Sequence, residues 1–290
     1  MRCACIDIGS NTTRLLVADV GRSTLAPVVE RRAFTQLGRA CAAGEPLPAA
    51  SVAALAEVVA AQTREARALG TRALRVVATA ALRRAADGAR TCRRLSRATG
   101  AQVELLSELD EARLAFAGAT RQLGPACEEP VAVVDVGGGS VQLVVGTCAG
   151  GVTWSASLPL GSGDLAAAHL HNDPPTPVEL NALRAVVVRT LAAVAPPRVE
   201  RALAVGGSAT SLRRLAGPRL DGDSLERALA TLVGAPAATV AAATRIAPER
   251  VRLLPAGLTV VAAVVEQLGP LEIARGGLRE GVLLELSATA

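Results

Sequence analysis

The chain contains one turn pattern twice, and this repeat limits the folds that the sequence can adopt. Residues 3–20 read CACIDIGSNTTRLLVADV and residues 131–148 read VAVVDVGGGSVQLVVGTC. In each copy an apolar strand pattern leads to an aspartate, an apolar residue, a glycine and a small polar turn, and a second apolar strand follows. Asp7 therefore corresponds to Asp135. Because each copy opens about half of the chain, we predict a duplicated domain. The turn leads into a strand and not into a helix, which argues against a dinucleotide-binding βαβ unit.

The glycine-rich turn also has an ordinary explanation. Glycine adopts positive φ angles without steric cost, and tight turns between strands often contain it. Judged on residues 131–146 alone, an ordinary hairpin and a ligand-binding turn explain the sequence equally well. The choice between them depends on the rest of the chain.

Outside the hairpins, apolar periodicity predicts strands that alternate with helices. In the first half we predict strands over 25–34, 73–79 and 102–106 and helices over 51–69, 80–86, 88–98 and 108–123. In the second half we predict strands over 131–136, 141–147, 152–158 and 271–274, helices over 163–170 and 177–195, a strand, turn and helix over 201–215, and a last helix from about Leu278. The alternation indicates the α/β class. The segment GPACEEP at 124–130 predicts a boundary between domains 1–124 and 125–290.

Length and composition agree with this organisation. A chain of 290 residues can form two domains that each bury a core. Half of its residues are apolar but only 1% are aromatic, so the cores must consist of Ala, Val and Leu. The apolar runs are shorter than the roughly 18 residues of a membrane span, and Asp7 stands too early for a signal peptide. We therefore expect a soluble, cytoplasmic protein with no membrane partner.

The cysteines and histidines form no recognised metal motif. The six cysteines, at positions 3, 5, 41, 92, 127 and 148, lack the C-x-x-C spacing of zinc ribbons. Cys3 and Cys5 would share one face of a strand as small core residues. His169 and His171 form an isolated H-x-H beside a proline-rich turn. We expect a structural role for the cysteines and no metal role for the histidines.

Arginine supplies all 31 basic residues, and the net charge is +5. Because the chain has no lysine, a Walker A phosphate loop is excluded. Arginine binds phosphate oxygens in a bidentate manner, so its excess suits a polyanionic ligand. A codon bias toward Arg and Ala explains the same composition without any ligand. We expect no nucleic-acid partner.

Three turns of small residues share a capacity to bind anions. Backbone N–H groups that converge in such turns form an anion nest, to which Ser and Thr hydroxyls add donors. The candidate phosphate-binding residues in these turns are Gly9, Ser10, Asn11, Thr12, Gly137, Gly138, Gly139, Ser140, Gly206, Gly207 and Ser208. Asp7 and Asp135 precede two of the turns, where a carboxylate would repel phosphate. Their position is explained if they hold Mg²⁺, which takes one or two carboxylates and leaves its other positions to water and phosphate oxygens.

Seven segments together resemble the exopolyphosphatase and guanosine pentaphosphate phosphohydrolase (Ppx/GppA) family, in its short two-domain form. The segments are IDIGSNTTRLLV, VVATAALRRA, LLSELDEARLAF, VVDVGGGSVQLVVG, SLPLGSGDL, VGGSATSL and GGLREGVLLEL. They follow the family's order from end to end. The resemblance implies two actin-like (ribonuclease H-like) α/β domains of the sugar kinase, Hsp70 and actin superfamily, with a cleft between them.

The resemblance also implies a catalytic base, Glu111. The family's segment S-G-x-E-E-A-R reads S-E-L-D-E-A-R at 107–113, and Glu111 matches the second of its two acidic residues. A carboxylate in the first turn of a helix could orient and deprotonate water for in-line attack on phosphorus. Glu108, Asp110 and Glu111 would also complement the helix macrodipole, with no catalytic role.

Two arginines match family arginines in the first hairpin and in the VVATAALRRA segment. Arg14 and Arg83 would neutralise the transferred phosphoryl group and its neighbour. The alternative is an ordinary surface arginine or one that braces the domain. Arg279 and Glu280 match as well, but in the last helix they are expected to brace the domain.

Departures from the family pattern affect the expected activity. The usual G-G-G-S-T-E reads G-G-G-S-V-Q, so Gln142 stands where the family has a carboxylate associated with metal and water. We keep Gln142 with Asp7 and Asp135 as the candidate metal ligands. Glu108 replaces the glycine of the catalytic segment, and Asp110 shortens its first glutamate. Altered metal use or slower turnover would follow.

The expected function is Mg²⁺-dependent hydrolysis of terminal phosphate from inorganic polyphosphate, with Mn²⁺ as an alternative metal. One rival is the same chemistry on guanosine pentaphosphate, although two Phe and one Trp offer no aromatic cluster for stacking a base. Another is a catalytically impaired protein that binds polyphosphate or an alarmone. A sugar or acetate kinase fits less well with Glu111 and the short length. Short family members imply a homodimer.

Overall fold

A computed structural model describes residues 1–21, 24–41, 44–124 and 127–288. In chain order the strands are β1 (Arg2–Ile8), β2 (Thr12–Val20), β3 (Leu25–Phe34), β4 (Ala73–Ala78), β5 (Val103–Leu105), β6 (Val131–Val136), β7 (Val141–Thr147), β8 (Gly151–Leu158), β9 (Arg201–Val205), β10 (Arg219–Leu220) and β11 (Leu271–Ile273). The helices are α1 (Leu37–Ala40), α2 (Ala49–Ala68), α3 (Ala80–Arg84), α4 (Gly88–Thr99), α5 (Glu108–Thr120), α6 (Ser162–His169), α7 (Pro177–Leu191), α8 (Gly206–Ala216), α9 (Gly222–Val233), α10 (Ala237–Thr244), α11 (Pro248–Val251), α12 (Leu254–Leu268) and α13 (Leu278–Ala288). None of the helices in these ranges combines the length and the apolar character that a membrane crossing requires.

The chain divides into two compact units, each with its own sheet. The first unit combines Met1–Arg121 with Gly276–Ala290, and the second is Gln122–Arg275. The predicted second domain, 125–290, therefore needs correction at its C-terminal end, because α13 belongs to the first unit. Glycines explain this packing: a Cβ atom at Gly118 of α5 would collide with the carbonyl of Gly277, and one at Gly281 of α13 would collide with that of Leu114.

The sheet of the first unit has the strand order β3-β2-β1-β4-β5. The first three strands pair antiparallel, while β4 and β5 run parallel to β1. Successive side chains of β1 point to opposite sides of the sheet, and both sides are buried. Ala4, Ile6 and Ile8 join one apolar cluster and Cys3 and Cys5 join another. Both cysteines are free thiols and fully buried, which confirms the core role expected for them.

The sheet of the second unit has the order β10-β11-β9-β6-β7-β8. Here β6, β7 and β8 pair antiparallel, and β9 runs parallel to β6. The buried members of its main apolar cluster are Ala, Val and Leu, as the composition predicts, with Ile246 as the exception. Helix α12 alone contributes ten buried residues, Leu254–Val261 together with Ala263 and Val264.

The two units repeat one topology, which confirms the duplication predicted from the sequence. Three antiparallel strands and one parallel strand lie in the orders β3-β2-β1-β4 and β8-β7-β6-β9. Asp7 lies one residue before the end of β1 and Asp135 one residue before the end of β6. In the neighbouring strands, Arg14 lies opposite Asp7 and Gln142 lies opposite Asp135.

Most predicted elements are present, with shifts at their ends. The helix predicted over 108–123 ends at Thr120, and a 3-10 turn follows at Arg121–Leu123. The helix predicted over 177–195 ends at Leu191. In the segment 201–215, the Gly-Gly-Ser sequence is itself the first turn of α8 and no separate turn precedes the helix.

Candidate active site

The parallel strands of the first unit bring three predicted residues to one edge of its sheet. β1, β4 and β5 are parallel, so their carboxyl ends meet at the same edge. Asp7 lies at the end of β1, Arg83 lies in α3 directly after β4, and Glu111 lies in α5 directly after β5. Ligands of open α/β sheets bind at this edge, outside the carboxyl ends of the strands.

Glu111 is buried, with 6% of its surface exposed. Its Oε2 accepts a hydrogen bond of 2.8 Å from Nη1 of Arg83, which also donates to the carbonyl of Leu106 at 3.1 Å. Burial raises the pKa of Glu111, and the positive charge of Arg83 opposes this effect. A carboxylate with a raised pKa is a better proton acceptor at neutral pH than an exposed one.

The structure separates the three acidic residues in the first turn of α5. Ser107 caps this helix by accepting from the backbone N–H of Asp110 at 3.1 Å, and its hydroxyl donates to the Asp110 carboxylate at 2.6 Å. Glu108 is exposed, with Oε1 3.7 Å from Nη2 of Arg83. Only Glu111 of the three is buried. A role in complementing the helix macrodipole accounts for the exposed Glu108 and for Asp110, which bonds to the capping Ser107. It gives no reason to bury Glu111 against an arginine.

Asp7 lies among buried charges. Burial raises the pKa of Asp7, while Arg14 and Arg279 act to lower it. Burial and the nearby Arg279 lower the pKa of Arg14 to about 10. Among the described residues, Oδ1 of Asp7 is buried and has no hydrogen-bond partner. An unpartnered buried carboxylate oxygen is costly, and a cation or a donor group from a ligand would satisfy it.

Arg279 is a member of this group that sequence reasoning did not place near Asp7. It stands in the first turn of α13 with 8% of its surface exposed. Its guanidinium lies 3.3 and 3.4 Å from Oε2 of Glu30 on β3 and 3.9 Å from Oε1 of Glu280. Burial acts to lower the pKa of Arg279, but Glu280, Glu30 and Asp7 together raise it above its usual value. The GGLREG segment singled out Arg279 as a match to the family. Its contacts with Glu30 and its position near Asp7 could not be predicted, because they depend on the packing of α13 in the first unit.

The turn at residues 9–12 closes partly on itself. The N–H of Gly9 donates to the carbonyl of Thr12 at 3.1 Å, so it serves the turn, and an anion would need N–H groups further along the turn. The hydroxyl of Ser10 and the side-chain amide nitrogen of Asn11 are buried and have no hydrogen-bond partner among the described residues. Both are donors suited to an anion.

The equivalent turn of the second unit, residues 137–140, is held by the start of α6. The N–H of Gly137 closes this turn on the carbonyl of Ser140 at 3.0 Å. Ser162 and Gly163 donate their N–H groups to the carbonyls of Gly137 and Gly138 at 3.0 and 2.9 Å. A Cβ atom at Gly161 would collide with the backbone of Gly139, which explains the glycine that begins the GSGDL sequence.

Asp135 lies against the turn at the start of α8. Gly206 has φ +87°, which favours glycine, and a Cβ atom there would collide with Oδ1 of Asp135 and lie 2.8 Å from the carbonyl oxygen of Val136. A Cβ atom at Gly207 would lie 2.9 Å from Nη2 of Arg250, a buried side chain of α11 that the sequence did not single out. Ser208 is buried, and its hydroxyl has no partner among the described residues.

Gln142 is buried beside the glycine turn. Its Nε2 donates to the hydroxyl of Ser140 at 2.7 Å, and 2% of its surface is exposed. A glutamate at this position could only accept from Ser140. Glutamine in place of the family's glutamate therefore removes a charge and makes residue 142 the donor in its hydrogen bond with Ser140.

The three predicted metal ligands, Asp7, Asp135 and Gln142, all have side-chain oxygens, which Mg²⁺ prefers as ligands. Across the described ranges, no group of three or more His, Cys, Asp or Glu residues is arranged to enclose a metal. Mg²⁺ does not require such a group, because one or two carboxylates and several water or phosphate oxygens complete its coordination. The unpartnered oxygen of Asp7 and the oxygens of Asp135 and Gln142 are donors of the hard type that Mg²⁺ prefers.

A sequence profile of the Ppx/GppA phosphatase family matches residues 16–290. The chain belongs to this family. Exopolyphosphatase 2 of Mycobacterium tuberculosis is 34% identical over 199 residues, which cover 64% of this chain and 60% of that protein. Exopolyphosphatase 1 of Mycobacterium leprae is 29% identical over 303 residues, which cover 98% of this chain and 89% of that protein.

The solved Ppx/GppA structures agree with the fold. The family member from Aquifex aeolicus matches with a TM-score of 0.82 and 27% identity, over 100% of this chain and 98% of that one. The structural neighbours are two-domain actin-like proteins, so the predicted fold class is confirmed. Because the chain belongs to the Ppx/GppA phosphatase family, the residues described above are candidates for catalytic roles.

Proposed function

We propose that this chain is an exopolyphosphatase that hydrolyses the terminal phosphate of inorganic polyphosphate, with Glu111 as the general base. The observation that carries the proposal is the buried Glu111 carboxylate, bonded to Arg83 at the carboxyl edge of the first sheet. The names of the mycobacterial relatives support the substrate. Glu111 is also the position that the family resemblance assigns to the base.

In the proposed reaction, water attacks the terminal phosphorus in line with the bridging oxygen. A new P–O bond forms to the water oxygen, and the bond from phosphorus to the bridging oxygen breaks. Arg83 occupies Oε2 of Glu111, so the water proton passes to Oε1. The products are orthophosphate and a chain that is one phosphate shorter.

Arginines and a metal would compensate the charge of the phosphates. Arg83 and Arg14 would contact the transferred group and its neighbour, where a fixed positive charge favours the transition state. Asp7, Asp135 and Gln142 are the residues that would hold Mg²⁺. When bound, the ion neutralises phosphate oxygens and orients them.

Gln142 favours a second candidate function. A neutral amide that donates to Ser140 offers a metal less charge than the family's carboxylate. A chain with weak metal binding would retain its phosphate-binding turns and lose turnover. It would then bind polyphosphate or an alarmone without hydrolysing it.

One substrate panel separates these functions. Phosphate release is measured from long-chain polyphosphate, tripolyphosphate, guanosine pentaphosphate and ATP, each with Mg²⁺ and with Mn²⁺. The proposal expects the highest kcat/KM on polyphosphate. A preference for guanosine pentaphosphate would assign the rival substrate, and tight binding of polyphosphate with no release would assign the binding function.

A further inference from the structure

The outer face of α4 carries a line of arginines. Its sequence is GARTCRRLSRAT. The residues Thr91, Cys92, Leu95 and Thr99 are buried, and the four exposed arginines, called here the α4 arginine stripe, are Arg90, Arg93, Arg94 and Arg97. They are spaced i, i+3, i+4 and i+7, so they lie along one face of the helix. The helix itself contains no acidic residue.

This spacing places like charges next to each other, which destabilises a helix. Neighbouring carboxylates do little to compensate. Oδ2 of Asp87 lies 3.4 Å from Nη2 of Arg90. Two carboxylates on neighbouring elements pair with arginines outside the stripe: Glu65 of α2 with Arg31, and Glu104 of β5 with Arg75. Among the described residues, no carboxylate lies within ion-pair distance of the other three stripe arginines. A local cost of this kind, without local compensation, indicates a functional role.

The stripe starts near the candidate active site. β4 and β5 are parallel, so α4 runs from the carboxyl edge of the sheet back toward the opposite edge. Its first residue, Gly88, packs directly on the backbone of Leu82 in α3, next to Arg83. From its first to its last arginine the stripe spans about 10 Å, at 1.5 Å per residue. Arg67 of α2 extends it, with Nη2 donating to the carbonyl of Gly100 at 2.7 Å.

We propose that the α4 arginine stripe binds the part of a long polyphosphate chain that extends beyond the phosphate at Glu111. The proposal rests on the proposed function. Polyphosphate carries a negative charge at every repeat, and guanidinium groups bind phosphate oxygens in a bidentate manner. A helix face with four arginines along about 10 Å therefore complements this linear polyanion in charge and in shape.

Two other polyanions fit the stripe less well. Single-stranded nucleic acid binds through aromatic side chains on which bases stack, and α4 contains no aromatic residue. A membrane surface binds helices whose apolar face is available for insertion, and the apolar face of α4 is buried in the core of the unit.

The test compares two triple variants of equal charge change. Arg93, Arg94 and Arg97 are replaced by Gln in one, and the exposed Arg189, Arg213 and Arg227 of the second unit in the other. We expect the stripe variant to raise KM for long-chain polyphosphate about tenfold, with kcat unchanged, and to reduce the salt dependence of KM. KM for tripolyphosphate should stay within about twofold, because the proposal assigns Arg93, Arg94 and Arg97 to phosphates beyond the first few of the chain. An equal rise for both substrates, or an equal rise in the control variant, would overturn the proposal.

Binding measurements separate the stripe from the catalytic proposal. Calorimetry with long-chain polyphosphate is carried out on Glu111→Gln, with and without the stripe substitutions. Weaker binding in the combined variant supports the stripe even if the wild-type protein releases no phosphate. If the wild type hydrolyses long chains and stripe substitution leaves both KM and binding unchanged, the stripe fails and the proposed function stands. Binding of a single-stranded oligonucleotide or of anionic vesicles through the stripe, with no effect on polyphosphate, also overturns it.

Discussion

At Glu111, burial and the guanidinium of Arg83 act on the same carboxylate in opposite directions. Burial raises the pKa of Glu111, and Arg83 lowers it from that value. The net direction is upward, so the ionised carboxylate accepts a proton more readily than an exposed glutamate does. Arg83 thus limits how far burial raises the pKa of the proposed base.

Replacing Arg83 should move the acid limb of the pH profile. Only the ionised carboxylate can accept the water proton, so activity is lost as pH falls through the pKa of Glu111. Arg83→Gln removes the charge that lowers this pKa, so the acid limb of kcat/KM should shift to higher pH. A loss of about 10² to 10³ in kcat should accompany it. Arg64→Gln, an exposed arginine of α2, is the control. A lower rate with an unmoved acid limb would show that Arg83 does not act through Glu111.

Gln142 and Asp135 should change metal use in opposite directions. Gln142→Glu adds a carboxylate directly across the strand pair from Asp135, and the Ser140 hydroxyl can still donate to it. We expect a lower Mg²⁺ midpoint for phosphate release in Gln142→Glu and a higher one in Asp135→Asn. Calorimetric Mg²⁺ titration of the protein gives a second readout. Unchanged midpoints in two folded variants would remove both residues from the metal site and leave residues 137–140 as an ordinary hairpin turn.

Residue positions along the repeat could be predicted from the sequence, but contacts between distant segments could not. The matching hairpins predicted that Asp7 and Asp135 end equivalent strands. The pairing of Arg279 with Glu30 joins residues that are far apart in sequence and depends on how α13 packs. Arg250 stands in a four-residue helix with no periodic signal of its own.

Helices α5 and α13 pack so closely that glycines form their interface. A Cβ atom at Gly118 would collide with the backbone of Gly277, and one at Gly281 would collide with that of Leu114. The elements themselves were predictable from apolar periodicity. Their contact was not, because a glycine in a helical pattern does not identify its partner.

Adding one methyl group at this interface should therefore destabilise the first unit. We expect Gly118→Ala to lower the free energy of unfolding by about 1 to 3 kcal/mol, because the backbone of the neighbouring segment must shift. Gly222→Ala in α9 is the matched control, since nothing lies within 4 Å of its Cβ position. Thermal and denaturant unfolding measure the difference. Equal stability of the two variants would contradict the close packing of α13 on α5.

Across the whole molecule, one hairpin topology occurs twice with different chemistry. Arg14 faces Asp7 in the first unit and Gln142 faces Asp135 in the second. The sequence predicted the duplication because its strand patterns and glycine turns are local. Our prediction placed the C-terminal segment in the wrong unit, because no local sequence pattern marks where the chain returns to its first unit. The structure also shows where part of the arginine excess lies: four of the 31 arginines are on the exposed face of α4.

The central claim is that Glu111 is the base of a polyphosphate hydrolase. The most direct measurement compares phosphate release from long-chain polyphosphate by the wild type, Glu111→Gln and Glu108→Gln, with Mg²⁺ at saturation. Both substitutions remove one negative charge from the first turn of α5, so a macrodipole role predicts similar effects. We expect Glu111→Gln to lower kcat by about 10² to 10⁴, with polyphosphate binding within a few-fold of wild type, and Glu108→Gln to lower it by less than about tenfold. Comparable turnover of wild type and Glu111→Gln would contradict the account.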